Sequence, residues 1–457
     1  MRRDVIEVRN PYNGEIVGDV PLCDVNDVDV ACRTAAATLA RDDFPRHARA
    51  RVLERAAELL RDRVHEFGEL IARESGKPIR TATAEATRAV DTLVFSAAAA
   101  RTFTGEMVPM EASKAGEGRI GFAIRVPVGV VAAISPFNFP LNLVAHKVGP
   151  AIAAGCPVVL KPASATPLSG IGLVDLLIEA GLPSDWITVV TGPGATVGDA
   201  LVDHPIPALI SFTGSPAVGW RIRARAPRKK VSLELGSNSP VIVEPGVDLG
   251  RVAAAVRTAG FSHAGQSCIS TQRILVHRDV KDALERLLAE AVDSLVVGDP
   301  LDDATDVGPL IEAAETERVL GWIRAAVAEG ARIVAGGGLE NGLLRPTVVA
   351  DAPLGVDLCA KEVFGPVVVT IGYDTFDEAI RVANATDFGL HAGVFTNDVS
   401  KALRAARELQ FGGVLINEVP TYRADQQPYG GVKQSGNTRE GPTYAVREMT
   451  ELRFVMF

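Results

Sequence analysis

The chain has 457 residues, a length at which two or three domains are expected and a single small binding module is excluded. Hydrophobic residues make up 47% and charged residues 23%, proportions typical of a globular protein with a sizeable core rather than of a disordered or coiled-coil chain. The formal net charge of −9 has the wrong sign for a basic nucleic-acid-binding surface, so we expect no nucleic-acid partner.

The N-terminal residues, Met1 to Asp4, lead into a turn-rich segment without the apolar core of a signal peptide, and no apolar run is long enough to span a bilayer. We therefore expect a cytoplasmic protein with no membrane partner. Five cysteines occur at wide spacing and form no C-x-x-C pair: Cys23, Cys32, Cys156, Cys268 and Cys359. This odd number and spacing argue against a disulfide framework and against a metal site, so each cysteine is a lone thiol.

Two helices and a hairpin are predicted in the first 128 residues. Apolar residues recur at intervals of three and four over residues 49–75, and Gly76 with Pro78 supplies a stop signal. This pattern predicts one long amphipathic helix. A second helix is predicted over about residues 83–100, and the Gly- and Pro-punctuated residues 105–128 have the pattern of a hairpin.

Short apolar, β-rich runs then alternate with loops of small or polar residues and with helical patterns. The runs are residues 130–134, 158–160, 189–190 and 209–212. Strands that are apolar on both faces predict a parallel sheet covered by helices, and ligands bind beyond the carboxyl ends of such strands. The loops after these runs are therefore the predicted cofactor cleft. A similar alternation over residues 240–416 predicts a second α/β domain, and residues 451–457 have a strand-like pattern.

Gly214 and Gly219 have the spacing of a phosphate-binding loop. The next residues, however, are Trp220 and Arg221, where a nucleoside-triphosphate loop requires Lys and Ser or Thr. What remains is a strand, a Gly-Ser turn and a helix start, which can present backbone N–H groups and a positive dipole end to a pyrophosphate. Many strand-to-helix turns contain glycine, so this turn alone does not identify a cofactor.

Two residues have side chains suited to catalysis. Cys268 lies among small and polar residues, and a Gly- and Ser-rich turn can give a thiol the exposure and the close backbone approach that a nucleophile needs. Most lone cysteines are nevertheless inert core thiols. Glu234 interrupts an otherwise apolar strand. It is either a salt-bridged edge residue or a partly desolvated carboxylate whose raised pKa suits a general base.

Seven motifs follow one another along the chain: residues 136–140 (Pro-Phe-Asn-Phe-Pro), 161–164 (Lys-Pro-Ala-Ser), 212–215 (Phe-Thr-Gly-Ser), 234–236 (Glu-Leu-Gly), 265–268 (Gly-Gln-Ser-Cys), 362–366 (Glu-Val-Phe-Gly-Pro) and 430–436 (Gly-Gly-Val-Lys-Gln-Ser-Gly). In order and spacing they resemble the aldehyde dehydrogenase superfamily, and the resemblance covers essentially the whole chain. It implies an α/β fold with a Rossmann-like cofactor domain, a second α/β catalytic domain and a small β oligomerisation element. The implied bounds are residues 1–108 and 130–233 for the NAD(P)-binding domain, 234–420 for the catalytic domain, and 109–129 with 440–457 for the oligomerisation element.

The resemblance also implies a mechanism. Cys268 would attack the aldehyde carbon, and the Asn138 amide with the Cys268 backbone N–H would hold the oxyanion. After hydride transfer, Glu234 would activate the water that hydrolyses the thioester. Acylating relatives generally lack this carboxylate, so Glu234 favours hydrolysis over transfer to coenzyme A.

An NAD(P) site follows from the same resemblance. Glu362 would hold the nicotinamide ribose, Phe364 would pack near that ring, and Lys161 would hold the adenosine ribose. The other residues placed in this site are Ile134, Ser135, Phe137, Ala163, Ser164, Phe212, Gly214, Ser215 and Leu235. Ser164 stands where NAD-preferring members usually carry a Glu, whose charge would repel a 2′-phosphate, so we expect NADP to be accepted or slightly preferred.

By the resemblance, Arg88, His146 and Arg423 lie at tunnel positions where relatives that handle apolar aldehydes carry Met or aromatic residues. Convergent cations imply an anionic aldehyde, and Arg suits phosphate, phosphonate, sulfonate or carboxylate. Three cations favour a doubly charged group, so a short phosphono- or phospho-aldehyde is the leading hypothesis. Succinate semialdehyde, sulfolactaldehyde and lactaldehyde are alternatives, and each residue could instead be a solvated or structural side chain.

Two other functions stay open. One is a catalytically silent dinucleotide-binding protein, which would reduce no dinucleotide with any aldehyde; the other is a coenzyme A-acylating dehydrogenase, which would form product only with coenzyme A. The hairpin and the final strand match the family's oligomerisation element. Because a monomer would leave their sheet edges unpaired, the expected assembly is a homodimer or homotetramer.

Overall fold

The computed structural model describes residues 4–457. Residues 1–3 lie outside the described residues. They belong to the predicted cofactor domain and to the N-terminal segment from which we expected no signal peptide. The strands are β1 (Val5–Arg9), β2 (Ile16–Pro21), β3 (Glu106–Val108), β4 (Gly121–Pro127), β5 (Val131–Ile134), β6 (Val158–Lys161), β7 (Ile187–Val189), β8 (Leu209–Thr213), β9 (Lys230–Glu234), β10 (Ser239–Val243), β11 (Thr271–His277), β12 (Arg332–Ala335), β13 (Leu339–Glu340), β14 (Leu343–Leu344), β15 (Thr347–Ala350), β16 (Val367–Tyr373), β17 (His391–Phe395), β18 (Gly413–Ile416) and β19 (Thr450–Met456).

The helices are α1 (Val25–Arg41), α2 (Arg46–Asp62), α3 (Val64–Ser75), α4 (Ile79–Thr102), α5 (Asn142–Ala154), α6 (Leu168–Glu179), α7 (Asp199–Asp203), α8 (Pro216–Arg225), α9 (Leu249–Phe261), α10 (Arg278–Asp293), α11 (Ala313–Ala328), α12 (Asp357–Ala360), α13 (Phe376–Asn384), α14 (Val399–Glu408) and α15 (Pro442–Glu448). Within residues 4–457, no helix is both long enough and apolar enough to cross a membrane.

The first large sheet is parallel throughout and has the strand order β7-β6-β5-β8-β9. Alternate residues of its central strand enter different hydrophobic clusters, as the side-chain alternation of a strand requires. Val131 and Ala133 pack with residues of α2 to α6, whereas Ala132 and Ile134 pack with residues of α1, α7 and α8. Helices therefore cover both faces, and the strands are apolar on both sides for that reason.

A second sheet of seven strands has the order β12-β15-β16-β11-β10-β17-β18. Its neighbouring strands run parallel except for β12 and β15. The predicted fold class, with a Rossmann-like sheet and a second α/β sheet, is confirmed.

A small antiparallel sheet contains β19, β4 and β3 in that order, so the predicted hairpin is present as β3 and β4. Leu452, Phe454 and Met456 alternate along β19, and each has about half of its surface exposed. Because β19 is an edge strand in this sheet, it offers both free backbone groups and an apolar side to another chain.

The single long helix predicted over residues 49–75 is wrong in one respect. At Arg63 the backbone leaves helical geometry with φ −115° and ψ 19°, and its N–H donates to the Leu60 carbonyl, so α2 and α3 are separate helices. The apolar spacing continues across the break, which is why the sequence pattern cannot reveal it. The next helix, α4, begins four residues earlier than about Thr83, directly after Pro78.

Candidate active site

A cavity of about 500 Å³ lies where the strands of the parallel sheet end. Its walls come from the loops that follow β5, β6, β8 and β9, together with the loop before β11 and the loop after α12. The residues that line it and were predicted as site residues are Phe137, Asn138, Ala163, Gly214, Ser215, Glu234, Leu235, Cys268, Glu362 and Phe364. The cleft predicted at the carboxyl ends of the strands is thus a real cavity, and it brings the cysteine and the carboxylates to one place.

Cys268 lies in the loop between a 3-10 turn, Ser262–Gly265, and strand β11. Its Sγ forms a hydrogen bond of 2.9 Å with the Tyr429 hydroxyl. Burial raises the pKa of the Cys268 thiol to about 12, and the hydrogen bond offsets only part of that rise. The thiol is therefore protonated in this state.

The backbone before Cys268 is strained. His263, Ala264 and Gly265 have φ values of 50°, 53° and 71°, three consecutive residues in the left-handed region. At Gly265 a Cβ atom would lie 2.1 Å from the Gly365 carbonyl oxygen, so only glycine fits there. His263 is buried, and no hydrogen bond to its ring is found in the described part of the chain. This turn fixes the path of the loop that carries the thiol.

Asn138 follows β5 and is nearly fully buried. Its Nδ2 donates to the Gln266 carbonyl at 2.9 Å, and the Gln266 Oε1 in turn accepts from the Ile311 backbone N–H at 2.9 Å. Asn138 and Cys268 both line the cavity. The amide is thus tied to the loop of the thiol, two residues from Cys268.

Glu234 is the last residue of β9, and its carboxyl group is buried. Within residues 4–457, neither of its oxygens has a hydrogen-bond partner. Burial raises the pKa of Glu234 well above its usual value, and the nearby Glu440 carboxylate raises it further. The Gly430 backbone passes so close that a Cβ there would lie 2.9 Å from Glu234 Oε1. Glu234 is a desolvated carboxyl group rather than a salt-bridged edge residue.

A second buried carboxylate, Glu440, has the opposite shift. Its Oε2 accepts from Arg423 Nη2 at 2.9 Å, and its Oε1 lies 3.6 Å from the Lys147 ammonium. Burial alone would raise the pKa of Glu440, but these two cations outweigh it and lower the pKa to about 2. One carboxyl of this neighbouring pair is ionised while Glu234 is protonated. The sequence pattern does not mark Glu440 and Lys147 as site residues, because only their contact in the folded chain does so.

The residues placed in the NAD(P) site fall into two groups. Seven line the cavity, whereas Ile134, Ser135, Lys161, Ser164 and Phe212 do not. Glu362 faces the cavity, and burial raises its pKa to about 7. Its Oε1 accepts from the Ser237 backbone N–H at 2.8 Å, and this hydrogen bond fixes the carboxyl group at the cavity wall.

The cavity has features that fit a dinucleotide. Ser215 occupies the N-cap position of helix α8, and its side chain makes no capping hydrogen bond. The positive end of that helix, where Gly214 and Ser215 line the cavity, therefore suits a pyrophosphate. The rings of Phe137 and Phe364 lie edge to face with their centroids 5.9 Å apart on the same cavity, and flat aromatic walls suit a nicotinamide ring.

Lys161 and Ser164 lie beside the cavity rather than on its wall. Lys161 is the last residue of β6, its Nζ donates to the Pro162 carbonyl at 3.3 Å, and burial lowers its pKa to about 8. The Ser164 hydroxyl donates to the Gly192 carbonyl at 2.8 Å. Both polar groups are satisfied by neighbouring backbone, and they stay predictions as cofactor contacts.

Arg88, His146 and Arg423, the three residues predicted to bind an anion, come together, but none of them lines the cavity that holds Cys268, so they stay a prediction as substrate contacts. They surround Asp425, which the sequence analysis did not single out. Arg88 forms a side-on, bidentate contact with Asp425: its Nε donates to Oδ2 at 3.1 Å and its Nη2 donates to Oδ1 at 2.8 Å. His146 Nε2 lies 2.9 Å from the same Oδ1, and Arg423 Nη2 lies 3.2 Å from His146 Nε2. We call these four residues the Asp425 cluster.

The charges of the Asp425 cluster differ from the predicted three cations. Burial lowers the pKa of His146, and the Arg423 guanidinium lowers it further, so the imidazole is neutral. Burial would raise the pKa of Asp425, but its hydrogen bond with His146 and the Arg88 charge hold it well below the usual value. Two guanidiniums and one carboxylate leave a net charge of one. The Lys147 ammonium and the Glu440 carboxylate beside the cluster cancel each other.

Parallel strands that end at a cavity holding a thiol and a desolvated carboxyl group are an arrangement that fits a dinucleotide-dependent dehydrogenase. The model of the aldehyde dehydrogenase family matches residues 1–455, and the chain belongs to that family. It is an NAD(P)-dependent oxidoreductase that acts on an aldehyde, as the sequence predicted.

Three similar proteins show how much of the chain is shared. The 3-sulfolactaldehyde dehydrogenase of Priestia megaterium is 46% identical over 451 residues, which cover 99% of this chain and 94% of that protein. Aldehyde dehydrogenase 21 from Physcomitrella patens, solved in complex with the reaction product succinate, is 38% identical with a TM-score of 0.95, covering 100% and 95% of the two chains. The glyceraldehyde-3-phosphate dehydrogenase GapN from Methanocaldococcus jannaschii, solved with NADP, is 37% identical with a TM-score of 0.95, covering 100% and 99%.

Proposed function

We propose that this protein oxidises a small aldehyde carrying one negative charge to its carboxylic acid. The observation that carries this proposal is the contact of Arg88 and His146 with the Asp425 carboxylate. With His146 neutral and Asp425 ionised, the Asp425 cluster has a single positive charge rather than the three predicted from sequence. A sulfonate or a carboxylate carries one negative charge, whereas a phosphonate or phosphate carries close to two. The relative from Priestia megaterium is named for a sulfonated aldehyde, which supports the same choice.

The proposed chemistry begins at Cys268. Its thiol gives up a proton to solvent water and the sulfur attacks the carbonyl carbon, forming a carbon–sulfur bond and a thiohemiacetal whose oxyanion the Asn138 amide and the Cys268 backbone N–H stabilise. Bound NAD(P) supplies an acceptor for the hydride that leaves this carbon. The carbon is then a thioester of Cys268, one oxidation step above the aldehyde.

Hydrolysis of the thioester is assigned to Glu234. Its carboxylate takes a proton from a water molecule as the water oxygen attacks the thioester carbon, and the carbon–sulfur bond breaks to release the acid. Glu234 must be ionised for this step, so the proton that burial keeps on it has to leave first. Glu440, ionised nearby, disfavours a second negative charge and keeps the pKa of Glu234 high.

The test is the formation of NAD(P)H with a panel of aldehydes: 3-sulfolactaldehyde, succinate semialdehyde, phosphonoacetaldehyde, glyceraldehyde 3-phosphate, lactaldehyde and propanal. We expect kcat/KM for the singly charged members to exceed that for propanal by about a hundredfold, the value of one charge-assisted contact. In Arg88→Ala this advantage should fall at least about tenfold, with propanal unaffected. Arg101→Ala, which removes an exposed guanidinium from the same helix, is the matched control.

Four results would contradict the proposal. Equal or better turnover of propanal would show that the enzyme does not prefer anionic aldehydes. Preference for the phosphorylated aldehydes would support the hypothesis of a doubly charged substrate instead. Binding of dinucleotide without reduction by any aldehyde would indicate a catalytically silent protein. Product formation that depends on coenzyme A would indicate an acylating dehydrogenase.

We also propose that NADP is accepted and slightly preferred, because Ser164 carries no charge that would repel a 2′-phosphate. Ser164→Glu should lower kcat/KM for NADP relative to NAD by about tenfold or more, since the new carboxylate faces a doubly charged phosphate. Ser164→Ala removes only the hydroxyl, whose hydrogen bond now goes to Gly192, and should change the ratio less. Steady-state kinetics with both dinucleotides measures this ratio. An unchanged ratio in Ser164→Glu would place residue 164 away from the adenosine ribose.

The assembly is proposed to be a homodimer or homotetramer. The support is β19, an edge strand whose apolar side, Leu452, Phe454 and Met456, is about half exposed in the single chain. Contact with a second copy would remove this surface from water.

A further inference from the structure

We infer that Asp425 is a specificity-determining residue: its carboxylate fills part of the anion site and limits that site to substrates with one negative charge. The inference rests on the proposed function, since it assumes that Arg88 and its neighbours meet the charged end of the aldehyde. It goes further by assigning the choice between one and two charges to a single side chain.

Asp425 is a built part of the protein, held from two helices. Its Oδ1 accepts from Arg88 Nη2 at 2.8 Å and from Asn142 Nδ2 at 3.1 Å, and it lies 2.9 Å from His146 Nε2. Asn142 is itself oriented by the Thr92 hydroxyl, which donates to its Oδ1 at 2.8 Å. The side chain of Asp425 is only 4% exposed. A carboxylate with this many donors is ionised and fixed in place.

The contact with Asp425 also sets the state of His146. An ionised carboxylate can only accept, so His146 Nε2 carries the proton and donates to it. Arg423 Nη2, which is also a donor, then lies 3.2 Å from Nε2 without a hydrogen bond between the two nitrogens. His146 Nδ1 then carries a lone pair, and in the described part of the chain this atom has no partner. His146 therefore adds no positive charge to the site. An anionic substrate can be attracted only by the guanidiniums.

Arg88 keeps a free side for a ligand. The side-on contact with Asp425 uses Nε and Nη2, and no residue of the described chain accepts a hydrogen bond from Nη1. The Arg88 side chain is 31% exposed, in contrast to the buried Asp425. A substrate anion can thus reach one edge of this guanidinium while Asp425 holds the other.

The consequence for selectivity follows from counting charges. With Asp425 ionised, the Asp425 cluster attracts an anion with a net charge of one; with residue 425 neutral, it would attract with a net charge of two. Attraction grows in proportion to the charge of the anion, whereas the cost of taking the anion out of water grows with the square of that charge, so a net charge of one compensates a monoanion better than a dianion. A full charge about 6 Å away changes binding by about a hundredfold at the effective dielectric constant of a protein site. A doubly charged substrate feels this change twice as strongly as a singly charged one. Removal of the Asp425 charge should therefore shift preference toward dianions.

The experiment uses two aldehydes of the same length, sulfoacetaldehyde with one charge and phosphonoacetaldehyde with two. At about pH 8, where the phosphonate is doubly ionised, kcat/KM for both is measured for the full-length protein and for Asp425→Asn. We expect the ratio of phosphonoacetaldehyde to sulfoacetaldehyde to rise at least tenfold in the variant. An unchanged ratio, or an equal loss for both substrates and for propanal, would overturn the inference by leaving Asp425 a purely structural residue.

Glu54→Gln is the matched control. Glu54 of α2 accepts hydrogen bonds from Arg101 Nε and Nη2, both at 2.7 Å, in the same side-on geometry. Arg101 is on the same helix as Arg88, α4, about 20 Å farther along it. Substitution of Glu54 removes a carboxylate paired in the same geometry, but more exposed and far from His146 and Arg423, and the ratio should stay at the wild-type value. A shift of the same size in this control would overturn the inference by showing a general effect of net charge.

A measurement on the unmodified protein covers the case in which Asp425→Asn does not fold. Methanesulfonate and methylphosphonate are compared as competitive inhibitors against the best aldehyde. The inference expects the sulfonate to bind more tightly, and tighter binding of the phosphonate by tenfold or more would overturn it. Failure of the proposed function looks different, because the wild-type protein would then turn over propanal as well as sulfoacetaldehyde and neither anion would inhibit.

Discussion

Replacement of Cys268 by alanine is expected to abolish aldehyde oxidation, with kcat reduced by at least about 10⁴-fold, as for the loss of other covalent nucleophiles. The structure offers no substitute for the sulfur. The other four cysteines are buried, and none lines the cavity in the part of the chain that the structure describes. NAD(P)H formation under saturating aldehyde measures the loss.

Two controls separate loss of the nucleophile from loss of the fold. Cys268→Ala should still bind NADP, because Cys268 contributes no charge to that site, and fluorescence titration can measure the affinity. Cys359→Ala removes a thiol that is buried in the core of the second sheet, where burial raises its pKa to about 11, and should retain activity. Residual activity of Cys268→Ala above about 1% of wild type would exclude Cys268 as the nucleophile.

The second large effect is expected for Glu234→Gln, which keeps the shape of the side chain but removes the base. Steady-state kcat should fall by about 10²- to 10³-fold, while the first hydride transfer continues. The result is a burst of about one NAD(P)H per active site followed by slow turnover, with the acyl group held on Cys268. Rapid-mixing absorbance gives the burst, and intact-protein mass gives the thioester. A variant that shows neither burst nor turnover would place Glu234 before hydride transfer instead.

The pH dependence gives a separate check on Glu234. Burial raises its pKa well above the usual value. As the pH falls, Glu234 therefore becomes protonated at a pH at which an ordinary carboxyl group is still ionised. If hydrolysis limits turnover, wild-type kcat should fall as the pH decreases through this raised pKa, and the slow turnover of Glu234→Gln should lack that decline. Glu74→Gln is the matched control, because burial raises the pKa of Glu74 to about 7 at a position away from the cavity. If Glu74→Gln also lacked the decline of kcat at low pH, the decline would be due to a change in the fold and not to the titration of Glu234.

The sequence predicted the location of the site better than its electrostatics. The carboxyl ends of parallel strands lie at one edge of the sheet. Recognition of these strands was therefore enough to predict that the loops at residues 135–138 and 213–215 lie close together. The alternation of apolar residues is a local signal. For the same reason it missed the break at Arg63, where one residue changes its backbone angles without changing the apolar spacing.

The charge state of the anion site could not be predicted because it depends on contacts between distant residues. Arg88 and Asp425 are 337 positions apart, and His146 and Asp425 are 279 apart. Nothing in the residues around Asp425 indicates that its carboxylate turns inward to these partners. A side chain's type gives its possible charge, whereas burial and hydrogen bonds decide the charge that it has.

The protonated state of Cys268 bears on how long the enzyme survives between turnovers. With a pKa of about 12, the thiol has fewer than about one molecule in 10⁴ ionised near neutral pH. Peroxides and alkylating agents react with the thiolate, so the resting sulfur is shielded from oxidation to sulfenic and sulfinic acids. The hydrogen bond from the Tyr429 hydroxyl works in the other direction, because it lowers the pKa of the thiol, but it offsets only part of the rise that burial causes. A sulfur that rests as the thiol is spared this damage while the enzyme waits for substrate.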